Sequence, residues 1–472
     1  MSDWRGFILL AIGLGVPLIL LLFRQERMLL AWLCITVGVN VFDARVGLNL
    51  AAARLVGLMV LAFVPFGAFR LRELSRTAPA RFLLAQIVYL AVLGLIFGYL
   101  YPWPDYGFVR EWSQTASGRT VVFMIRTAAD LGIMLFVARQ IIAGVAPEEF
   151  VRLLLIGTSI AALGGLAEFA SGIQIYQVVT GYPIQEVANR VRGLNFEPRG
   201  LGLSMAHGLF LALLWYTMRR SKALLWVAAL HFVVLVLTVS ASATIAALAM
   251  GVSLVALEPR VRRPAAWLGI AATLGAVLLV GWGQELAIGQ SWVLNLRQRF
   301  SWDDAMSISA ETWVDILAFF LDIFDLTALA ALRAYPLAAL IGAGPGLIIL
   351  PASQFIPDTP RWSYVGLTGE GITSQPTMGI LVEWANGGVI GVALWIGFVV
   401  SVLYAFRALM RRGIDAEQWR LARGVFVAGA GAYLVQVSPL SAYWPMLMGL
   451  GLGAAYWAAR QPLSLSSEVS AA

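Results

Sequence analysis

Residues 190–200 bring together side chains that could bind an anion. The segment reads Arg-Val-Arg-Gly-Leu-Asn-Phe-Glu-Pro-Arg-Gly and lies between two long apolar stretches. A planar guanidinium group donates paired hydrogen bonds to phosphate or carboxylate oxygens. Because ionisable residues beside membrane spans are functional candidates by default, Arg190, Arg192 and Arg199 predict an anion-binding site. The alternative is a solvated loop with ordinary interfacial arginines.

A second group of arginines follows later in the chain. Arg297 and Arg299 lie in Asn-Leu-Arg-Gln-Arg-Phe, and Arg333 and Arg361 come after them. Two separated loops that each offer paired arginines indicate a polyanionic ligand, and phosphate or pyrophosphate at a membrane surface fits guanidinium geometry well. Alternatively, the arginines contact lipid headgroups or pair with nearby acids, namely Glu197, Asp303, Asp304 and Asp358.

Five other ionisable residues are candidates for chemistry. Glu197 lies among the arginines and is either their counter-ion or a general base. Glu370 is a substrate-binding candidate in a glycine-rich loop, where a solvated carboxylate is the alternative, and Glu383 begins a predicted span. His207 and His231 lie in apolar helices and are interpreted as hydrogen-bonded interior histidines rather than catalytic ones.

The sequence predicts neither a metal site nor a cofactor. It contains no His-Glu-x-x-His motif, no metal-ligand spacing and no Cys/His cluster. The motif Gly342-Ala-Gly-Pro-Gly resembles part of a dinucleotide fingerprint, but no strand precedes it and no helix start follows it, so it predicts a turn. The single cysteine, Cys34, excludes an intramolecular disulfide.

Composition predicts an all-α polytopic membrane protein. Hydrophobic residues make up 60% of the 472 residues, charged residues make up 12%, and the mean hydropathy is +0.81. We therefore expect one transmembrane domain over residues 1–472, with a retained first span at 6–23. The pI of 9.7 reflects basic loops facing the membrane. No basic tract is interleaved with aromatic residues, so a nucleic-acid partner is not expected.

Apolar segments predict about 13 transmembrane helices, within a range of 12–14. They lie at 6–23, 28–42, 51–69, 82–100, 121–142, 150–171, 200–218, 224–239, 241–257, 265–283, 378–406, 420–437 and 440–459. The basic connections are 70–81, 139–152, 219–222, 260–263 and 407–423, and the positive-inside rule places them in the cytoplasm. The loops at 172–199 and 284–377 are then periplasmic.

The large 284–377 loop is expected to carry surface helices. Residues 311–332 place apolar side chains at helical spacing together with three aspartates, which predicts an amphipathic helix on the membrane surface. A further crossing is the alternative, but it would put the 407–423 basic loop outside.

Five motifs, in this order, resemble the O-antigen polymerase/ligase superfamily of bacterial envelopes, over roughly the C-terminal 290 residues. They are residues 192–200, Leu-Thr-Val-Ser-Ala-Ser-Ala-Thr at 237–244, the Arg297/Arg299 pair, the arginine-to-glycine stretch at 333–346, and residues 375–391. The resemblance implies a GT-C-like membrane fold. It also implies transfer of glycans from undecaprenyl pyrophosphate at the periplasmic face of the bacterial inner membrane.

Departures from the family pattern favour a polymerase over a ligase. Ligases of the family carry a histidine followed by asparagine where this chain has Ser374-Gln375-Pro376. The usual Ser-Arg-Gly pattern is replaced by Ser240-Ala-Ser242. The partners implied are the undecaprenyl-pyrophosphate-linked donor and acceptor glycans, the lipid bilayer and, as a further candidate, a chain-length regulator.

The leading hypothesis is a metal-independent, inverting glycosyltransferase that polymerises lipid-linked repeats into O-antigen or exopolysaccharide. Its catalytic residues would be Arg192, Arg199, Glu197, Arg297 and Arg299. Its substrate-binding residues would be Arg190, Arg333, Arg361, Glu370 and Gln375. The alternatives are a ligase of the same family and a transporter of an anionic solute. A transporter should show an internal repeat and broken helices, whereas these spans are expected to be smooth.

Overall fold

The computed structural model describes eleven stretches of the chain, and helices are the regular secondary structure that these residues form. The stretches are residues 4–42, 52–63, 71–103, 112, 115–181, 190–195, 197–258, 323–355, 376–413, 415–436 and 442–460. Arg297, Arg299, Arg361, Glu370, Gln375 and the predicted span at 265–283 lie outside them.

Seventeen α-helices are numbered here in chain order within those residues. The first nine are α1 (Trp4–Leu22), α2 (Glu26–Gly38), α3 (Ala52–Phe63), α4 (Leu71–Leu74), α5 (Ala78–Leu95), α6 (Ala116–Ile142), α7 (Pro147–Ser171), α8 (Ile175–Thr180) and α9 (Pro198–Arg219). The others are α10 (Lys222–Leu237), α11 (Ala241–Leu257), α12 (Ile323–Ala334), α13 (Pro336–Ile341), α14 (Ile349–Ala352), α15 (Gly379–Arg411), α16 (Ala416–Val435) and α17 (Tyr443–Arg460).

Five of the described helices are long and apolar enough to cross a membrane. They are Ala78–Leu100, which adds a π-helical turn to α5, Ala116–Ile142, Pro147–Ser171, Pro198–Arg219 and Gly379–Arg411. Shorter apolar helices accompany them at Ile8–Leu22, Ala52–Phe63, Lys222–Leu237 and Ser242–Leu257. The protein is therefore all-α with several membrane-length helices, while the total of about 13 crossings stays a prediction.

Local sequence explains where the long helices begin and end. Proline is favoured at the first helical position because it has no N–H to leave unsatisfied, and both Pro147 and Pro198 begin helices. The α7 helix ends at Ser171 and is followed by Gly172, whose φ of 68° lies in the left-handed region that glycine adopts without strain. These boundaries place the charged 190–199 segment at the start of α9, with Arg199 in its first turn.

Four ion pairs tie helix ends together at one end of the bundle, which we call the basic end. The pairs are Arg139 with Glu26, Arg460 with Glu73, Arg219 with Glu148, and Arg423 with Glu258. In addition, the Arg412 guanidinium donates to the carbonyl of Ala458 at 2.8 Å. The helix ends that the sequence grouped on one side therefore also meet in the structure.

Two features of the structure differ from the sequence-based expectations. The predicted smooth span at 378–406 is interrupted, because α15 has a non-helical residue at Gly388 with φ 62° and ψ −159°. The described part of the predicted 311–332 surface helix, α12, buries Asp325, which is 1% exposed and accepts hydrogen bonds at the start of α15. Broken helices are expected of a transporter, so the break at Gly388 removes one of the reasons given against that function.

Close backbone approach between helices depends on glycine at several positions. A Cβ atom added at Gly57 in α3 would collide with the carbonyl of Ala129 in α6, and one added at Gly132 would collide with the carbonyl of Gly57. Small residues allow membrane helices to pack through such contacts, which would otherwise force the helices apart.

We expect Gly132→Ala to lower the free energy of unfolding by about 1–3 kcal/mol, because the new methyl group must push α3 away from α6. The measurement is thermal unfolding of the detergent-solubilised protein. Gly15→Ala is the matched control, since an added Cβ there meets no atom within 4 Å. Equal melting temperatures for the two variants would contradict the close α3–α6 contact.

Candidate functional site

The 190–199 segment is anchored by its backbone to several helix ends opposite the basic end. Glu168, near the end of α7, accepts a hydrogen bond from the Arg192 N–H at 2.8 Å and one from the Ile175 N–H at 3.1 Å. The Val191 N–H donates to the Leu237 carbonyl at 3.3 Å, at the end of α10. These bonds fix the position of the segment relative to α7 and α10.

A glycine and an asparagine bring the same segment down onto the bundle. Gly193 has a φ of 57°, and a Cβ atom there would lie 2.7 Å from the backbone nitrogen of Gly165 in α7. Asn195 is 1% exposed, and its amide donates to the Gly38 carbonyl at the end of α2, at 3.3 Å. The segment therefore packs tightly against α7 and α2, which is unlike a solvated loop.

The three arginines of the segment occupy different surroundings. Arg190 donates from Nε to the Thr238 carbonyl at 3.3 Å. Arg192 is 7% exposed, and burial lowers the pKa of its guanidinium from the ordinary value, while the Glu168 and Glu197 carboxylates act in the opposite direction. A buried guanidinium that interacts with two carboxylates is a positioned charge.

Arg199, in the first turn of α9, faces the end of α16. Its Nε donates to the side-chain oxygen of Gln436 at 2.9 Å, in the amide orientation that satisfies both groups, and its Nη2 donates to the same oxygen. Gln436 directly follows α16 and is 5% exposed. Arg192 and Arg199 are thus held by different helices at the same end of the molecule.

Glu197 is exposed and lies at the start of α9, where its carbonyl accepts from the N–H groups of Gly200 and Leu201 at 3.0 and 3.3 Å. Its side chain interacts electrostatically with Arg192. This arrangement fits a counter-ion of Arg192, and its exposure leaves the carboxylate accessible to a substrate. The general-base role stays a prediction.

Arg333 is the described member of the second arginine group. It is exposed near the end of α12, a helix that packs against α14 and the start of α15. The predicted turn at 342–346 is confirmed as irregular backbone, with φ values of 92°, 91° and 72° at Gly342, Gly344 and Gly346. Arg333 is therefore carried by a separate structural unit from Arg192 and Arg199.

A cluster of charged and polar side chains inside the helix bundle was missed from the sequence. Arg54 in α3 pairs with Asp130 in α6, with Nε–Oδ1 and Nη2–Oδ2 distances of 2.8 and 3.1 Å. Arg126, one turn before Asp130, interacts electrostatically with both residues. The signal was available, because ionisable residues within apolar spans are rare and mark paired or functional positions.

Glu383 belongs to the same region. Its carboxylate accepts from Gln86 Nε2 and from the Tyr433 hydroxyl, both at 2.6 Å, and the residue is 9% exposed. Tyr433 also interacts electrostatically with Asp130 and Arg54. Polar side chains from five helices, α3, α5, α6, α15 and α16, thus form one connected group within the bundle.

Both histidines are interior and hydrogen-bonded, as predicted. His207 Nδ1 bonds to the Leu203 carbonyl at 2.8 Å, and its ring stacks on Tyr443 with a centroid distance of 4.1 Å. His231 Nδ1 bonds to the Val227 carbonyl at 2.7 Å, and its Nε2 lies 3.1 Å from Thr158 Oγ1. Within the described ranges, no three His, Cys, Asp or Glu side chains group closely enough to hold a metal ion.

Comparison with known proteins gives no family for the chain. No protein-family model matches it, and no curated protein matches it either. The candidate site consists of one arginine segment that is anchored to the ends of several helices.

We expect Glu168→Leu to destabilise the protein, because it leaves the buried Arg192 N–H without its acceptor, at about 1–3 kcal/mol, and the half-buried Ile175 N–H without its acceptor at a smaller cost. Glu168→Gln retains one accepting oxygen and should be intermediate. Thermal unfolding in detergent measures the effect, with Glu149→Leu at the opposite end of α7 as the matched control. Unfolding of Glu168→Leu at the wild-type temperature would show that these bonds do not hold the segment.

Proposed function

We propose that the chain is a membrane glycosyltransferase of the polysaccharide-polymerase type. The donor is a growing glycan on undecaprenyl pyrophosphate, and the acceptor is a single lipid-linked repeat. The observation that carries the proposal is the fixed placement of Arg192 and Arg199 at one end of an apolar helix bundle, held by Glu168 and Gln436 from different helices. Prearranged guanidinium groups beside a membrane suit a diphosphate that is anchored in lipid.

The reaction creates charge where these arginines lie. An acceptor hydroxyl attacks the anomeric carbon of the donor glycan, the bond from that carbon to the pyrophosphate oxygen breaks, and the configuration inverts. The hydroxyl proton passes to a base, for which exposed Glu197 is the candidate. Donors held in place before the reaction stabilise the developing charge on the departing pyrophosphate by several kcal/mol.

The proposed sidedness follows from charge. Short loops rich in arginine and lysine stay in the cytoplasm, so the basic end is proposed to be cytoplasmic. The 190–199 segment lies at the other end of the bundle and would face the periplasm of a bacterial inner membrane. Lipid-linked glycan repeats would meet the arginines there.

A transporter of an anionic solute is the second candidate, and two observations favour it. The α15 helix is broken at Gly388, and the Arg54–Asp130 pair lies within apolar helices. Transporters use broken helices and buried charges to bind solutes near the middle of the membrane. A ligase of the same superfamily is the third candidate and would share the arginine chemistry.

The sidedness is tested with cysteines placed at Ser353 and Lys222 in a Cys34→Ser background. An impermeant thiol reagent applied to intact cells should label Ser353→Cys and leave Lys222→Cys unlabelled until the cells are opened. Cys34 is the single cysteine of the chain, so the Cys34→Ser background alone should give no signal. Labelling of Lys222→Cys in intact cells would reverse the proposed orientation.

The function is tested with Arg192→Ala and Arg199→Ala in a strain whose surface polysaccharide depends on this protein. We expect long polymer to disappear at normal protein abundance and lipid-linked single repeats to accumulate, because flipping and assembly occur earlier. Arg→Lys variants should be intermediate or severe, since an ammonium group replaces a paired contact only in part. The measurement is lipid extraction with glycan analysis.

Arg27→Ala is the matched control, because Arg27 is an exposed arginine at the start of α2, near the basic end. Substrate that builds up on the cytoplasmic side would indicate a transporter. Wild-type chain lengths in both alanine variants would remove the 190–199 segment from the active site.

A further inference from the structure

The break in α15 leaves backbone carbonyl groups that accept hydrogen bonds from another part of the chain. Gly388 has φ and ψ values that are essentially restricted to glycine, so the helix cannot continue through it. The carbonyls of Ala385 and Asn386 instead accept from the N–H groups of Ala343 and Gly344, at 2.9 and 3.2 Å. The helix break is thus filled by residues that come about forty positions earlier in the chain.

Asn386 adds a side-chain bond to the same contact. Its Oδ1 accepts from the Gly346 N–H at 2.9 Å, and Asn386 is 2% exposed. We call Ala385, Asn386 and Gly388 the seat, and residues 323–355 the docked segment. N–H groups of the turn at 342–346 donate three hydrogen bonds to the seat, so the docked segment binds at the break in α15.

Two glycines make the contact possible from opposite sides. A Cβ atom at Gly388 would collide with the Leu340 carbonyl and lie 2.5 Å from the Gly342 nitrogen. A Cβ atom at Gly342 would collide with the Asn386 carbonyl. Both glycines also have positive φ, so the seat and the docked segment fit each other only as backbone against backbone.

Further bonds hold the docked segment on both sides of Arg333. Before it, Asp325 accepts from the N–H groups of Thr377 and Met378, at 2.6 and 3.0 Å, at the start of α15. After it, the Trp384 ring N–H donates to the Ala339 carbonyl at 2.8 Å. The segment is therefore attached to α15 before and after the arginine.

The seat is connected to the 190–199 segment through the end of α16. Glu383, three residues before Asn386, accepts from the Tyr433 hydroxyl, and Gln436, three residues after Tyr433, accepts from Arg199. The docked segment and the arginine segment thus lie at the same end of the molecule and share α16 as a support.

We propose that the seat positions Arg333 relative to Arg192 and Arg199, with Asn386 as a positioning residue that does not itself touch the substrate. The catalytic consequence rests on the proposed function, whereas the docking itself does not. An exposed arginine on a clamped segment, at the end that carries two other fixed arginines, suits a second phosphate group of the bound lipid carriers.

The docking is tested with Gly388→Ala against its neighbour Gly387→Ala. A Cβ atom at Gly387 would lie 3.5 Å from Leu90, an ordinary contact, so this control should dock normally. The reporter is a cysteine at Leu350, which is 3% exposed, in the Cys34→Ser background. We expect Gly388→Ala to raise the rate of labelling by an impermeant thiol reagent about tenfold, because the segment opens more often.

Asn386→Ala removes one hydrogen bond of the seat without adding bulk. It tests the docking if the Gly388→Ala protein fails to accumulate. It should raise labelling to a smaller extent and shorten the polymer. Unchanged labelling in both variants would overturn the docking. Raised labelling with normal polymer, in a strain where Arg192→Ala abolishes polymer, would overturn the positioning role. If Arg192→Ala also leaves polymer normal, the proposed function fails, while the labelling still decides the docking.

Discussion

The constraint on which this structure depends is that backbone polar groups within an apolar bundle need partners other than water. Where the chain leaves helical geometry, it finds those partners in distant segments. The Glu168 carboxylate accepts from the Ile175 N–H just after α7 and from the Arg192 N–H before α9, and the carbonyls at the Gly388 break accept from the turn at 342–346. Each irregular segment is thereby fixed in place instead of being left free.

The charged side chains have different partners at the two ends of the bundle. At the basic end, arginines pair with glutamates on neighbouring helices, and such exposed pairs contribute little to stability individually. At the other end, Arg192 is buried close to Glu168 and Glu197, and Arg199 bonds to a neutral amide. Arg192 and Arg199 are thus fixed by contacts to α7 and to the residue that follows α16.

The sequence was sufficient for an all-α protein with several membrane-length helices, for the pairing of the basic helix ends and for the two interior histidines, because apolar periodicity and local spacing determine these features. It could not reveal the partners of the arginines. Each arginine contacts a residue that is distant from it in the sequence, and only tertiary packing brings the two together. The residues contacted are Glu168, Gln436 and Asp130. The break at Gly388 was missed because hydropathy averages over a window and does not report backbone dihedral angles.

The end of α16 links these observations into one arrangement. Tyr433 lies in the last turn of α16 and Gln436 directly follows the helix, and they bind Glu383 and Arg199 respectively. A shift or rotation of this helix end would therefore move the seat of the docked segment and the arginine at the start of α9 together. The two arginine-bearing segments come from separate parts of the chain, and within the described residues the end of α16 contacts Arg199 and the helix that holds the docked segment.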